Sequence, residues 1–324
     1  MKTIAFFNNK GGVGKTTTVY HIAWMLSELG YKVLAVDLDP QSNLSSMFLT
    51  NERLEEVILD ENKKDTILDA IEPVSEGEPY FPVHIETISE NLSLLIGNLS
   101  LSAFEDKLSD AWAKCLAGDP FAFKVTSLFK TLFTDASART NADWVLIDVG
   151  PNLGAMNRAI LISTDFVIQP VASDLFSLQG IKNLGKTLID WRNQWQKRES
   201  EYPKPDKSAI PEGKMKPIGY LVMQYTAKDS RPVKSYLKWA ERIPDVYREF
   251  VLGTNEKLHL EIDKDPYCLA LLKHYHSLAP MSMEARKPMF LLKPADGAIG
   301  AHLQAVQRCY DDFKILTKKV IQIC

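Results

Sequence analysis

An apolar run, Thr3-Ile-Ala-Phe-Phe7, stops at Asn8-Asn9 and is followed by Lys10-Gly11-Gly12-Val13-Gly14-Lys15-Thr16. No other stretch restricts the fold as much. The closely spaced glycines let the backbone wrap tightly with its N–H groups turned inward. From Lys15 onward Val19, Ile22, Ala23, Leu26 and Leu29 recur at helical spacing, and Gly30 is placed as a C-terminal stop. Lys32-Val-Leu-Ala-Val-Asp37 then predicts a second buried strand. Strand, glycine loop, helix and strand form one βαβ unit, whose crossover is expected to be right-handed.

A glycine loop that opens a helix is an anion site, because free N–H groups and the positive helix end converge there. The pattern predicts a phosphate loop for ATP: Gly11, Gly12, Val13 and Gly14 form the cradle, and Lys15 bridges the outer phosphates. The Thr16 hydroxyl would hold Mg²⁺, and Thr17 would add a phosphate contact. The ordinary P-loop pattern has glycine at position 9, where this chain has Asn9; Lys10 ahead of the paired glycines makes it the deviant form. A glycine turn without a ligand is the bland alternative.

Three further apolar runs extend the sheet: Trp144-Val-Leu-Ile-Asp148, Asp165–Val171 and Pro217–Met223, with helical patterns at Ala155–Ser163 and Leu178–Trp195. Near-continuous apolar strands are those covered on both faces, so the chain reads as a doubly wound, mostly parallel α/β sheet. One domain over residues 1–324 is expected, with a helical insertion over 50–140 and an exposed, proline-rich loop over 197–216. Within the insertion, Glu52–Asp60 and Phe123–Phe133 look helical and Leu92–Ile96 looks like a strand.

Carboxylates at strand C-termini face the ligand crevice in such sheets. Asp37 could hold Mg²⁺ through water, and Asp39 could orient the water that attacks the γ-phosphate. Asp148, after four apolar residues, fits a Walker B carboxylate that reaches Mg²⁺. Gly150-Pro151-Asn152-Leu153-Gly154 follows as a loop able to respond to the γ-phosphate. Turn or cap aspartates are the bland readings of all three acids.

These residues resemble the ParA/MinD family of deviant Walker A ATPases. The resemblance rests on Asn9–Thr18, Asp37-Leu-Asp-Pro-Gln-Ser-Asn43, Val145–Asp148 and Asp174–Gly180, and covers about residues 1–50 and 140–300. It implies an ATP-dependent homodimer in which Lys10 crosses to the partner's phosphates, much as an arginine finger does. It also implies nonspecific DNA binding, a stimulating adaptor protein and the positioning of DNA or other cargo. It places adenine beside Met223 and Pro280; many partition proteins carry Thr or Asn where this chain has Met223-Gln224-Tyr225.

Residues 181–242 hold fourteen Lys and Arg against seven Asp and Glu, in a chain of formal net charge −3. Such asymmetry suits a local phosphate-binding face, with Arg231, Lys234 and Lys238 as candidates, although solvated helix faces would look the same. Cys115, Cys268, Cys309 and Cys324 show no C-x-x-C spacing, which disfavours an iron–sulfur reductase and suits free thiols in the cytoplasm. No apolar stretch is long enough to span a membrane. The Tyr310–Cys324 helix pattern, with Phe313, Leu316, Val320 and Ile323, is expected to pack on the core rather than on lipid. An amide-forming ligase, or an ATP-gated component of a mobile-element or defence system, remains open on the same scaffold.

Overall fold

The computed structural model describes all residues except 61, 226, 229–230, 233–237 and 255–257, and no side chain between 224 and 237. Strand β1 (Lys2–Phe6) leads through the glycine loop into α1 (Lys15–Glu28), and β2 (Val33–Leu38) completes the βαβ unit. Then come α2 (Asn43–Phe48), α3 (Asn51–Leu59), α4 (Ile67–Ser75), β3 (Glu86–Ser89), β4 (Leu92–Leu95), α5 (Glu105–Lys114), α6 (Pro120–Thr126) and α7 (Leu128–Thr140). The second half carries β5 (Trp144–Val149), α8 (Ala155–Ile162), β6 (Phe166–Val171), α9 (Leu175–Ser200) and β7 (Lys216–Tyr225). Two-residue strands β8 (Ala227–Lys228) and β9 (Arg231–Pro232) precede α10 (Ile243–Tyr247), β10 (Cys268–Lys273), α11 (Leu278–Ala285) and α12 (Ala301–Ile323).

The eight-stranded sheet has the order β10-β7-β6-β1-β5-β2-β4-β3, and only the β3–β4 pairing is antiparallel. Successive residues of the central strands feed opposite cores. Ile4 and Phe6 join one with α1 and α12, whereas Ala5 and Phe7 join the other with α5, α7, α8 and α9. This two-sided burial is why the central strands read as unbroken apolar runs.

The segment between β2 and β5 is not purely helical. Its β4 pairs with β2 in parallel, so it extends the sheet, and Leu95, Phe104, Trp112, Phe123 and Phe129 are part of one core face. The helical stretch expected near Phe123–Phe133 is two helices that meet at Ser127. The 197–216 segment is less open than its prolines suggest: α9 runs on to Ser200, and Ile210 and Met215 are buried. The terminal helix α12 lies on the core, with Phe313, Leu316 and Val320 buried, as its pattern predicts. Among the described residues no helix is long and apolar enough to cross a membrane.

Candidate functional site

The loops after β1, β2 and β5 converge at the C-terminal edge of the sheet. Between them and α11 lies a cavity of about 540 Å³, lined by Gly11, Gly12, Gly14, Lys15, Thr16 and Thr17 on the loop side and by Asp39 and Gln41 after β2. That volume falls within the range of small-molecule sites. Gly14 caps α1 at φ +76°, and a Cβ there would meet the Met223 methyl carbon at 2.6 Å. Glycine is therefore demanded by conformation and by close approach together. The Thr18 hydroxyl donates to the Gly14 carbonyl at 2.7 Å and fixes the entry to the helix.

Lys15 is buried, and that burial lowers its pKa, while Asp148 and Asp39 act in the opposite direction. Asp37 and Asp148 are register partners on β2 and β5, and both are fully buried. Burial pushes the Asp37 carboxyl up to about 7, against the Ser45 hydroxyl and backbone N–H, each of which donates to Oδ2 at 2.7 Å. Among the described residues Asp37 Oδ1 has no hydrogen-bond partner, nor has either oxygen of Asp148. Burial raises Asp148 well above the usual carboxylate range, with the nearby Asp37 charge second and the Thr16 hydroxyl beside it partly offsetting them.

Buried carboxylate oxygens without partners cost free energy unless a cation or proton meets them. Asp148, Asp37 and the Thr16 hydroxyl are hard oxygen donors, and they fit Mg²⁺. Among the described residues no three His, Cys, Asp or Glu side chains form a metal cluster. A cation here would take its other ligands from phosphate oxygens and water, which is the usual manner for Mg²⁺. Asp39 has a different environment: it is nearly buried, its Oδ1 accepts from the Gln41 N–H at 3.0 Å, and it borders the cavity.

Lys10 does not line the cavity. Its ammonium pairs with Asp174 at 2.5 Å, where both side chains are about one-third exposed. Asp174 also caps α9 by accepting from the Ser177 N–H at 2.8 Å. Asp174→Asn is expected to keep the cap and to change unfolding free energy by less than about 1 kcal/mol, because ion pairs this exposed contribute little. Urea denaturation checks this.

Met223 and Pro280 lie outside the cavity lining. Met223 sits behind Gly14 and receives the Thr18 hydroxyl at 3.6 Å, whereas Pro280 is exposed on α11. The far wall is instead formed by Met47, Ala279, Ser282, Met283 and Met289, with His21 from α1. His21 Nε2 accepts from the Met289 N–H at 3.1 Å, so Nδ1 carries the proton and donates to the Thr17 carbonyl at 2.7 Å. Burial lowers its pKa to about 4, so it is neutral. Sequence reasoning missed His21 and the methionine wall: a histidine inside an apolar helical repeat and methionines on distant elements carry no spacing signal. Of the DNA candidates, Lys238 is exposed beside the Trp239 ring at 4.9 Å. Lys234 lies outside the described residues, and of Arg231 only the backbone, in β9, is described.

Residues 1–199 match a family described as "AAA domain". The chain belongs to this family. Within it the chain is a ParA-like ATPase, as its deviant loop and its relatives agree. An uncharacterized protein of Methanocaldococcus jannaschii is 27% identical over 246 residues, 76% of this chain and 82% of that one. The chromosome-partitioning ATPase Soj of Thermus thermophilus is 30% identical over 193 residues, 59% of this chain and 63% of Soj, so the match spans less than two thirds of Soj. A putative plasmid partition protein from Borrelia burgdorferi, solved bound to AMPPNP, shares the fold at a TM-score of 0.62, covering 99% of this ParA-like chain and 98% of its own, at 17% identity.

Proposed function

We propose that this ParA-like protein binds and hydrolyses ATP with Mg²⁺, dimerises in the ATP state and uses that switch to partition or position DNA or another cargo. The observation that carries the reading is the cavity itself. A glycine loop at a helix N-terminus, a buried lysine and Asp39 line one volume of about 540 Å³, and the buried Asp148 carboxylate stands behind that lining, beside Thr16. In this reading Gly11, Gly12, Val13 and Gly14 cradle the phosphates, Lys15 meets their charge, and Thr16 and Thr17 add hydroxyls. Asp37, Asp148 and Thr16 hold Mg²⁺, which would neutralise charge on the transferred phosphate. Asp39 orients the attacking water. The names of the relatives, a chromosome-partitioning ATPase and a plasmid partition protein solved with AMPPNP, support the nucleotide and the cargo class.

Lys10 serves the dimer. It lies outside its own cavity on Asp174, and release would free an ammonium to meet a second copy's phosphates. DNA contact is assigned to the basic layer formed by α9, residues 238–242, α10 and the segment after it, which share one core. There Lys182 and Lys186 flank Phe250 at 4.8 and 5.5 Å, and Lys238 and Arg242 flank Trp239 at 4.9 and 5.3 Å. An adaptor protein that stimulates turnover completes the scheme.

The test is a DNA titration with ATP, ADP and no nucleotide, at low and high salt, with Lys10→Ala alongside. DNA binding that needs ATP and weakens with salt is expected. In Lys10→Ala the ATP-dependent gain in dimer and DNA affinity is expected to fall at least about tenfold. ATP-driven dimerisation without DNA binding at any salt would remove the DNA role and leave the switch.

A further inference from the structure

Helix α5 belongs to the segment between β2 and β5, remote in sequence from every phosphate-loop residue, yet it grips the element that follows Asp148. The Glu105 carboxylate accepts from the N–H groups of Ala155, by a short contact, and of Met156 at 2.9 Å, which are the first two residues of α8. A Cβ on Gly154 would lie 2.1 Å from Glu105 Oε1, so a side chain there would push the carboxylate out of its present seat. One turn further along α8, Arg158 stacks on Trp112 of α5 at 4.1 Å, and Arg198 of α9 stacks on the same indole at 4.2 Å. The Arg198 Nε also donates to the Trp112 carbonyl at 2.8 Å.

α8 is in turn tied to the loop that ends at Gly154. The Asn157 amide donates to the carbonyls of Gly150 and Asn152 at 2.7 and 2.8 Å. Gly150 packs on Asp39, so that a Cβ there would lie 3.5 Å from Asp39 Oδ1. A continuous set of contacts thus runs from the cavity edge through residues 150–152 and α8 to α5. Attachment of α8 to α5 at two points, a capping carboxylate and a stacked indole, makes the two helices move together rather than slide.

We propose that α5 is the output of the nucleotide site: a shift of the 150–154 loop on binding ATP is passed through Glu105 to α5 and its neighbours, making this segment the part of the surface that reports nucleotide state. The inference rests on the nucleotide reading above. Coupling of this kind is reciprocal, so loosening α5 must also alter nucleotide affinity.

Hydrogen–deuterium exchange on the full chain, with no nucleotide, MgADP and a slowly hydrolysed MgATP analogue, tests it. Amides over 105–117 are expected to change exchange rate by about fivefold or more between the ADP and ATP states, together with those over 150–156. In Glu105→Gln the change over 105–117 is expected to shrink while that over 150–156 persists. Gly154→Ala, which attacks the same contact from the other side, is expected to act alike. Circular dichroism and melting temperature report whether each variant folds. Protection at 9–17 and 150–156 with none at 105–117 in the parent protein would overturn the coupling while leaving the nucleotide site standing. Absence of protection at 9–17 would instead overturn the nucleotide reading and this inference with it.

Discussion

Lys15→Ala is expected to lower ATP turnover by about 10²–10³-fold, the usual loss when one preorganised electrostatic group is removed from a water-poor site. Of the described residues that line the cavity, Lys15 is the one cation, because His21 is held neutral. Its burial keeps it short of solvent and lowers its pKa, and a poorly hydrated ammonium acts on a phosphate through a lower dielectric than water. Without it, an incoming triphosphate would meet Asp39 at the cavity wall and Asp148 behind it, so affinity should fall along with turnover. Lys15→Arg is not expected to restore activity, because a planar guanidinium presents its donors at a different reach and geometry from a compact ammonium. Phosphate release and calorimetric titration with MgATP measure the two effects. Turnover within a few-fold of the parent would remove Lys15 from the phosphate-binding role.

The parts of the site that share one stretch of chain were legible beforehand. Gly11, Gly12, Gly14, Lys15 and Thr16 lie in one string between a strand and a helix, and Asp37 and Asp148 end apolar runs that can only be interior strands. Central strands announce themselves because both faces are covered. Edge strand β10 was missed: Cys268-Leu-Ala-Leu-Leu-Lys273 is an apolar run of six residues after Pro266, and a run of that length does not by itself separate a strand from a buried helical segment. The contribution of the 50–140 segment to the sheet was only half visible, because Leu92–Leu95 offers four residues and its partner β3 is polar. Lys10–Asp174, Asp37–Ser45 and Glu105–Ala155 are juxtapositions that arise only when separate loops meet, so periodicity cannot encode them. The far wall of the cavity shows the same limit: Met223, which the resemblance places beside adenine, backs Gly14, and the wall opposite the loop is built largely from α2 and α11.

Asp148→Asn is expected to change stability in opposite directions with and without nucleotide. Asp37 and Asp148 are neighbours across β2 and β5 and are shielded from solvent, and burial raises both carboxyls above their ordinary values, with Lys15 offsetting only part of the effect on Asp148. Through these carboxyls the folded chain takes up protons that the unfolded chain has lost between about pH 4 and 7, so their contribution to nucleotide-free stability falls as pH rises through that window, opposite in sign to the contribution of His21, whose pKa burial lowers to about 4. An amide at 148 removes one buried ionisable group and relieves the like charge felt by Asp37. Nucleotide-free Asp148→Asn should be more stable than the parent at pH 7.5 by on the order of 1–2 kcal/mol, with a flatter pH dependence. Near pH 4.5, where the parent carboxyls keep their protons, the two should nearly coincide. With saturating MgATP the order should reverse, because the parent gains the binding free energy and the variant has lost an acidic oxygen for the cation. Urea denaturation midpoints from pH 4.5 to 8, with and without MgATP, decide the matter. A variant less stable than the parent at pH 7.5 without nucleotide would mean that Asp148 is already compensated within the fold, and that the energetic reason for a cation at this position is gone.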